Sequence, residues 1–414
     1  MYRAIVFTSA SIPIWQPTVH SMLRHGWRGE DISLVMLDNT AKLPQVTGRL
    51  GTAAWSLEEF ARTIDHNTMY VLLCAGERLA EGATFEWFAA QAHRVVTIRH
   101  DDGMGSRVLA IRGDALLACW KRAAYLLRVD PVSALCAWAE SVLNNETCIL
   151  ASRSLSSARC DRLLQDYRFQ LAQAPRSRNS VWPTVAIALV NHNMRPHVSM
   201  ALASIEAQID DLAEVWLVDD GSSDGSQTLL QAFSERVCCA SLVSLPQNVG
   251  KARAANVALQ QIQTDFILEL DADDWLDPGA VRTIRSHLSN LDGEIDMLYG
   301  NMRNWRIDSR GAYRVTGLQK GGPLQTTKQL ALCRFPLGPR VYRTSTLKTV
   351  GGFPILSFAN GRLYEDVALI RELLEVGRIE YRDFTVYNRL LHRHSITHQH
   401  VNLWPAFVDM YLTR

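Results

Sequence analysis

The densest group of residues able to do chemistry is Asp271, Asp273 and Asp274, within TDFILELDADDWLDPGA from Thr264 to Ala280. Three carboxylates this close repel one another unless a cation neutralises them. Oxygen-only donors suit Mg²⁺ or Mn²⁺, ions that usually keep substrate phosphates as further ligands. Asp and Pro also mark ordinary strand-to-helix turns, which is the rival explanation for this stretch. A calcium loop of the EF-hand type does not fit. Counting from Asp271, its sixth position should be Gly and is Leu276, and its twelfth should be Glu and is Arg282.

Three other groups could act with this cluster. VDDGSSDGS, from Val218 to Ser226, ends a strand and opens a helix. An N-cap with turn residues accounts for it, but a carboxylate at that edge can also accept the imide N–H of uracil or thymine, with Asp220 the first choice and Asp219 the second. In QNVGKARAANVAL, from Gln247, the residues Asn248, Gly250 and Lys251 stand at a helix entrance. The helix dipole and a lysine favour phosphate there, against plain solvation of Lys251 and Arg253. Glu365 and Asp366 open a helix, where acidic residues are favoured even without catalysis. His392, His394, His398 and His400 form the densest histidine cluster. No cysteine accompanies them, so solvated histidines with one site contact is preferred to a zinc centre.

These residues need a sheet edge to bring them together. Phe266, Ile267, Leu268 and Leu270 read as a buried strand too short for a helix, which puts the carboxylates at its C-terminal end, the ligand-binding edge of an open α/β sheet. Pro278 is expected to start the next helix. From Thr184 onward strands and helices alternate as in a mostly parallel sheet. TVAIALV, EVWLVDD, ASLVSL and FILEL are the strands. Helices run from Pro196 to Gln208, over DGSQTLLQAFSE and over VGKARAANVALQQI. In the last of these, Ala252, Ala255, Leu259 and Ile262 share the face that packs on the sheet. A hairpin is expected around Asp308 to Gly311 and a helix from Glu365 to Glu375. Leu155 to Gln173 reads as helical, and APRSRNS after it reads as a linker.

The first half repeats the second. VLLCAGERLAEGA from Val71 aligns with ILELDADDWLDPGA from Ile267, with one residue of slack, so Cys74, Gly76 and Glu77 stand where Asp271, Asp273 and Asp274 stand. LVMLDNT near Asp38 resembles LVDDGS near Asp219. VLAIRGDALLACW from Val108 resembles PRVYRTSTLKTVGGF from Pro339, and VDPVSALCAWAE near Asp130 has the register of YEDVALIRELLE near Glu365. Matches in the same order indicate a divergent copy of one fold that has lost its metal carboxylates; the rival is an unrelated α/β domain.

The bulk properties narrow the classes. A chain of 414 residues, 47% hydrophobic, can bury more than one core. A formal net charge of +1 gives no reason to expect nucleic acid or an acidic membrane as partner. Eight cysteines without C-x-x-C spacing suggest free thiols in a reducing compartment. The N-terminus lacks a signal-peptide pattern and no apolar run reaches the roughly 18 residues of a membrane span. The expected location is cytoplasmic, with peripheral contact at the inner face of a membrane as an option. The apolar residues of the tail, Leu403, Phe407, Val408, Tyr411 and Leu412, are expected to pack on their own domain.

The order VNHN (190–193), DDGSSDGS, NVGKARAAN, LDADDWLDPGA, RVYRTSTLKTVGGF, YEDVAL and HRHSIT resembles the family 2 glycosyltransferases over about residues 184–397. The resemblance implies the Rossmann-like GT-A α/β fold and a nucleotide-diphosphate sugar donor, with UDP-sugars favoured. It implies that Asp220 holds the base, Asp271 approaches the ribose and Asp273 binds a divalent metal, Mn²⁺ or Mg²⁺, with His392 nearby. Val190, Asn191, Asn193, Asp219, Asn248, Gly250, Lys251 and Ala272 complete the nucleotide-sugar site. Asp366 is implied as general base, with Glu365 orienting the acceptor or sharing that role, giving inversion at the anomeric carbon. Two positions depart from the family pattern: Leu390 replaces an arginine usual two residues before the histidine, and Ala255 stands where many members have Arg. Q-x-x-R-W is absent, which favours single-sugar transfer to a glycan, lipid-linked or other hydroxyl. The expected organisation is a degenerate GT-A-like domain over 1–150, a helical linker over 151–182, a catalytic domain over 183–400 and a tail over 401–414, with self-association allowed. Two alternatives are weighed. An aspartate-nucleophile phosphatase fails because Asp274 and Trp275 follow the second Asp. A silent glycan-binding or scaffold protein suits the first half alone.

Overall fold

A computed structural model describes residues 1–8, 15–37, 52–79, 84–89, 94–99, 106–142, 147–150, 155–156, 162–172, 182–291, 294–309, 311–333, 337–361, 363–392 and 403–413. The expected linker APRSRNS, the turn at Asp38 and the histidines His394, His398 and His400 lie outside the described residues. The chain divides into two units, Met1–Gln173 with Ile307–Arg314, and Ala174–Arg306 with Val315–Arg414.

In the first unit, strands β1 (Tyr2–Thr8), β2 (Ile32–Met36), β3 (Ala53–Ser56), β4 (Met69–Cys74), β6 (Val95–Arg99), β7 (Ser106–Arg112) and β8 (Thr147–Leu150) form one sheet, ordered β3-β2-β1-β4-β7-β6-β8. Two short strands, β5 (Arg78–Leu79) and β9 (Leu155–Ser156), pair separately. The described part of the stretch expected to be helical from Leu155 is therefore strand first, and its helix is confined to Arg162–Ala172. That helix carries Arg168, whose guanidinium makes two hydrogen bonds to Asp130, at 2.7 and 2.8 Å. It is thus tied into the first unit rather than left as a free connection.

The second unit contains β10 (Val185–Asn191), β11 (Glu214–Asp220), β12 (Ala240–Leu245), β13 (Phe266–Asp271), β14 (Trp275–Leu276), β15 (Met297–Ile307), β16 (Tyr313–Gln319), β17 (Arg340–Arg343) and β18 (Ile379–Leu390). They are ordered β12-β11-β10-β13-β17-β15-β18-β14, with β16 paired to β15 as the expected hairpin. Residues along β10 alternate between two cores, as strand geometry requires. Val185, Ile187 and Leu189 meet Val198, Leu202, Leu230 and Ile284 on one face. Ala186 and Ala188 meet Ala255, Ala258, Leu369 and Phe407 on the other. Each such fully buried Val, Leu or Ile contributes about 1.5–3 kcal/mol. Small alanines under the helix Lys251–Gln261 let it lie close to the sheet. Phe407, from the C-terminal helix Trp404–Tyr411, is fully buried in that second core, so the tail packs on its own unit. The helix after the carboxylates begins at Ala280 and not at Pro278: Gly279, at φ +75°, turns the chain as N-cap.

The two sheets have the same plan. β1, β2, β3, β4, β7, β6 and β8 correspond in order and neighbours to β10, β11, β12, β13, β17, β15 and β18. Every pairing has the same sense in both, including the antiparallel β4–β7 and β13–β17 pairs. Cys74 ends β4 as Asp271 ends β13, and the next short strand opens at Arg78 as it does at Trp275. Gly76 and Glu77 therefore occupy the places of Asp273 and Asp274. In β13–β17, Leu268 faces Val341 and Glu269 faces Arg340. In β4–β7, Val71 faces Ala110, so Leu72 and Leu109 hold the places of Glu269 and Arg340.

Candidate active site

Parallel strands buried on both faces are apolar runs, and polar residues are tolerated mainly where the strands stop. The ends of β10, β11 and β13 supply Asn191, Asp219, Asp220 and Asp271 at one edge of the second unit's sheet. Asn191 Nδ2 donates to Asp219 Oδ1 at 2.8 Å, and the Ser222 N–H donates to Asp219 Oδ2 at 3.1 Å. Asp220 has its two oxygens engaged by backbone: the N–H groups of Val249 and Gly250 donate to them at 2.7 and 3.0 Å. The residue expected at a base therefore ties down the loop that carries Asn248, whose Oδ1 also accepts from the Gly250 N–H at 3.1 Å. Gly221, at φ +66°, lies against that loop, where a Cβ would sit 2.5 Å from the carbonyl carbon of Gln247. Asn193, a non-glycine at φ +55°, accepts from the Ser223 N–H at 2.8 Å. Val190 and Ala272 flank the edge in β10 and just after β13; Ala272 is buried.

Lys251 does not project as a solvated phosphate ligand. Its ammonium bonds Asp271 and lies 2.7 Å from Glu269 Oε1. Across the β13–β17 pair, Arg340 Nε donates to Glu269 at 2.8 Å, and its two terminal nitrogens reach Asp271 and Asp366, each at 3.2 Å. Tyr387 adds its hydroxyl, accepting from the Asp271 N–H at 3.1 Å. Burial alone would push Asp271 up, but Lys251 and Arg340 hold its carboxyl far below the usual range. Burial opposes the charge on Lys251 as well, and Asp271 and Glu269 keep it protonated. The repulsion expected among the aspartates is thus relieved at Asp271 by two cations of the protein itself. Asp274 meets it differently. Burial and the nearby Asp273 and Asp271 push its carboxyl well up, while Leu390 N–H donates to it at 2.8 Å.

Asp273 stands apart from these cations. Its Oδ2 lies 2.8 Å from Nε2 of His392, whose ring stacks on His197 with centroids 5.1 Å apart. Leu390, in place of an arginine, contributes its backbone N–H to the site. One carboxylate and one imidazole form a donor set that Mn²⁺ accepts. Among the described residues no group of three or more His, Cys, Asp or Glu is placed to hold a metal. Further ligands would have to come from a bound diphosphate, the usual arrangement for such ions. The other acidic pair opens the helix Glu365–Val376, with Tyr364 at φ +64° as its N-cap. Asp366 joins the charged network through Arg340; Glu365 makes no ion pair among the described residues.

Sequence reasoning passed over Glu269, Arg340, Tyr387 and His197. Glu269 carried a signal, as a charge in the middle of an otherwise apolar strand. The other three are brought in by pairing partners far along the chain.

Carboxylates at the C-terminal edge of such a sheet stand where open α/β sheets bind their ligands. Residues 186–345 match the model described as Glycosyl transferase family 2, so this part of the chain is similar to the glycosyltransferases of that family. Chondroitin synthase of Escherichia coli is 27% identical over 211 residues, 51% of this chain and 29% of its own length. Teichoic acid poly(glycerol phosphate) polymerase of Staphylococcus epidermidis is 30% identical over 112 residues, 27% of this chain and 16% of its own length. The chain thus spans less than a third of either relative. The crystal structure of S. aureus TarS 1-349 aligns at 19% identity with a TM-score of 0.39, covering 50% of this chain and 60% of that one. No helix among the described residues is long and apolar enough to cross a membrane.

Proposed function

We propose that the second unit transfers one sugar at a time, with inversion, from a nucleoside-diphosphate sugar to a hydroxyl of a glycan, lipid-linked or other acceptor in glycan biosynthesis. The observation that carries this reading is that the Asp273–His392 pair and the Glu365–Asp366 pair flank one charged floor, Lys251–Asp271–Arg340, within a domain similar to the family 2 glycosyltransferases. UDP-sugars are favoured. A carboxylate oxygen has more than one acceptor site, so Asp220 can take an imide N–H in addition to the backbone groups it already holds.

Asp273 and His392 would hold the divalent ion on the diphosphate, where it would supply Lewis-acid stabilisation of charge on the leaving oxygen. The edge loops around Asn191, Asn193 and Asn248 hold the nucleoside. Lys251 and Arg340 keep Asp271 ionised and fixed, so the floor is set before the donor arrives, which is how preorganised charge assists a reaction. A carboxylate of the acidic pair removes the acceptor proton as the hydroxyl attacks, and attack opposite the leaving group inverts the anomeric carbon.

The test is a panel of nucleotide sugars with Mn²⁺, read first by thermal shift and then by nucleoside diphosphate release. A donor at 100 times its Kd should stabilise the protein by about 2.7 kcal/mol. No shift and no release with any UDP-, dTDP- or GDP-sugar would end the transferase reading.

A further inference from the structure

Tyr387 and Arg389 are two residues apart on β18 and so share a face of the strand, the face on which the Tyr387 hydroxyl meets the Asp271 N–H at 3.1 Å. Asn388 between them turns the other way, to Asp277 and Trp305. Arg389 pairs across the ladder with Asn304 of β15. Its Nε donates to Asn304 Oδ1 at 3.1 Å, and its Nη2 donates to Gln319 Oε1, at the end of β16, at 3.0 Å. Asn304 Nδ2 reaches the same Gln319 oxygen at 3.4 Å, which ties the two amides together. Nε and Nη2 lie along one edge of the planar guanidinium, so the end formed by Nη1 and Nη2 keeps N–H groups with no partner among the described residues.

Both partners of Arg389 are neutral. An arginine keeps its charge in a protein, and this half-buried one makes no ion pair among the described residues. Asp274 and Asp271 attract it from a distance, the Tyr387 phenol faces it, and Arg340 repels it; burial outweighs the attraction and lowers the guanidinium from its ordinary value. Asp271 is in any case already paired with Lys251 and Arg340. A cation withdrawn from water and held by amide oxygens is short of one negative charge.

We propose that Arg389 receives an anionic group of the acceptor, a phosphate or a carboxylate, on the far side of Asp271 from the nucleoside. This rests on the transferase reading above. Strand order gives the side: the loops assigned to the nucleoside follow β10, β11 and β12, whereas β15, β16 and β18 lie beyond β13 and β17. The donor diphosphate has its counter-charge in the ion assigned to Asp273 and His392, which leaves the charge of Arg389 for the other substrate. Alternation along β18 turns Leu390 to the opposite face, so Arg389 does not stand in for the arginine expected at that position. Parallel N–H groups fit the paired oxygens of a phosphate or carboxylate and orient it as well as attract it. Arg389 therefore selects acceptors that carry such a group near the hydroxyl to be glycosylated.

Full-length protein saturated with UDP and Mn²⁺, titrated by calorimetry with glucose 6-phosphate and with glucuronic acid against glucose as the neutral control, tests this. At least one of the two anions is expected to bind about tenfold or more tightly than glucose, the size of effect a charge-assisted hydrogen bond supplies. Arg389→Gln should abolish that preference and leave UDP affinity within about threefold, and Arg389→Lys, which keeps the charge without the fork, should retain part of it. Asn304→Asp gives the guanidinium a counter-charge of its own. It should weaken anion binding while raising the unfolding temperature, an outcome that a purely structural role for Arg389 does not produce. No preference for either anion in the unaltered protein, or a preference that survives in both Arg389→Gln and Asn304→Asp, overturns the proposal. So does a loss of UDP affinity of about tenfold or more in Arg389→Gln with anion binding intact, which would put the donor diphosphate at Arg389. Absence of UDP binding in the unaltered protein would instead remove the transferase reading, and the same anion titrations without nucleotide would still decide whether Arg389 holds an anion.

Discussion

His392 Nε2 lies 2.8 Å from Asp273 Oδ2, although 119 residues separate them in the chain. The contact joins the end of β13 to the end of β18 and sets one carboxylate and one imidazole face to face. Asp273→Asn should lower Mn²⁺-dependent UDP release at least 100-fold while leaving the unfolding transition within about 1 kcal/mol, as for an exposed-side substitution. His392→Ala, which removes one of the two side chains proposed to hold the ion, should raise the Mn²⁺ concentration needed by at least about 10-fold, since loss of even a supporting partner of a metal ligand costs roughly 10–100-fold. Undiminished release in the presence of chelator would remove the metal from the reading.

The loop held by Asp220 is expected to be sensitive to one methyl group. Gly221→Ala forces a Cβ to within 2.5 Å of backbone at Gln247, at a φ of +66°. The left-handed conformation alone costs about 1–2 kcal/mol for an L-residue, and the displaced loop adds to it. Urea unfolding should show a loss of at least that size, and calorimetry a UDP affinity reduced by about tenfold or more. An unchanged UDP affinity would separate this loop from the nucleotide.

Base preference follows from the carboxylate edge of β11. UDP and dTDP, which carry an imide N–H, should bind more tightly than GDP or ADP in the presence of Mn²⁺. Calorimetry giving GDP as the tighter ligand would overturn the placement of the base at Asp219 and Asp220.

Repetition of the fold does not imply repetition of the site. In the first unit Cys74 and Gly76 stand for Asp271 and Asp273, and Leu72 and Leu109 for Glu269 and Arg340, so these four positions supply neither a hard oxygen ligand nor the charged floor. Full-length protein should bind UDP with Mn²⁺ at a stoichiometry of one per chain. A value of two would mean that the first unit retains a nucleotide site.

A different ion pair serves the stability of that unit. Burial would raise the Asp130 carboxyl, but Arg168 and the hydroxyl and N–H of Ser133 outweigh it and hold the folded-state value below the ordinary one. A carboxyl depressed by folding contributes stability that is full above its unfolded value, about 3.9, and is lost as pH falls through the lower folded value. The acid limb of unfolding below about pH 4 should therefore be shallower in Asp130→Asn. Arg168→Met, which leaves a buried carboxylate unpaired, should cost about 3–5 kcal/mol at neutral pH. Chemical denaturation as a function of pH measures both.

Much of this was legible in the residues. The strands of the second unit follow from apolar runs bounded by turn residues, because a strand buried on both faces has no other composition open to it. Alignment of Cys74, Gly76 and Glu77 with the carboxylate cluster also needed only the order of motifs, and it coincides with the strand plan of the two sheets. Local signals were less sure where two explanations share one residue type. Pro278 reads as part of a first helical turn, but the left-handed Gly279 makes that turn, and Leu155 opens a strand where a helix is expected.

What the sequence could not decide was which charges meet. Lys251 has the signature of a phosphate ligand at a helix entrance, and Asp271 that of a group awaiting a cation; only the packing of the helix Lys251–Gln261 against β13 shows that they serve each other. Arg340 reaches Glu269, Asp271 and Asp366 because β17 runs antiparallel to β13 in one register, and a shift of one residue would turn it to the opposite face. The sequence by itself determined the fold plan, its repetition and the edge where carboxylates collect, since these follow from local pattern and motif order. Tertiary structure alone decided which of those carboxylates are neutralised by the protein and which, Asp273 and Asp274 among them, have no Lys or Arg partner among the described residues, because that depends on strand register and burial across segments far apart in the chain.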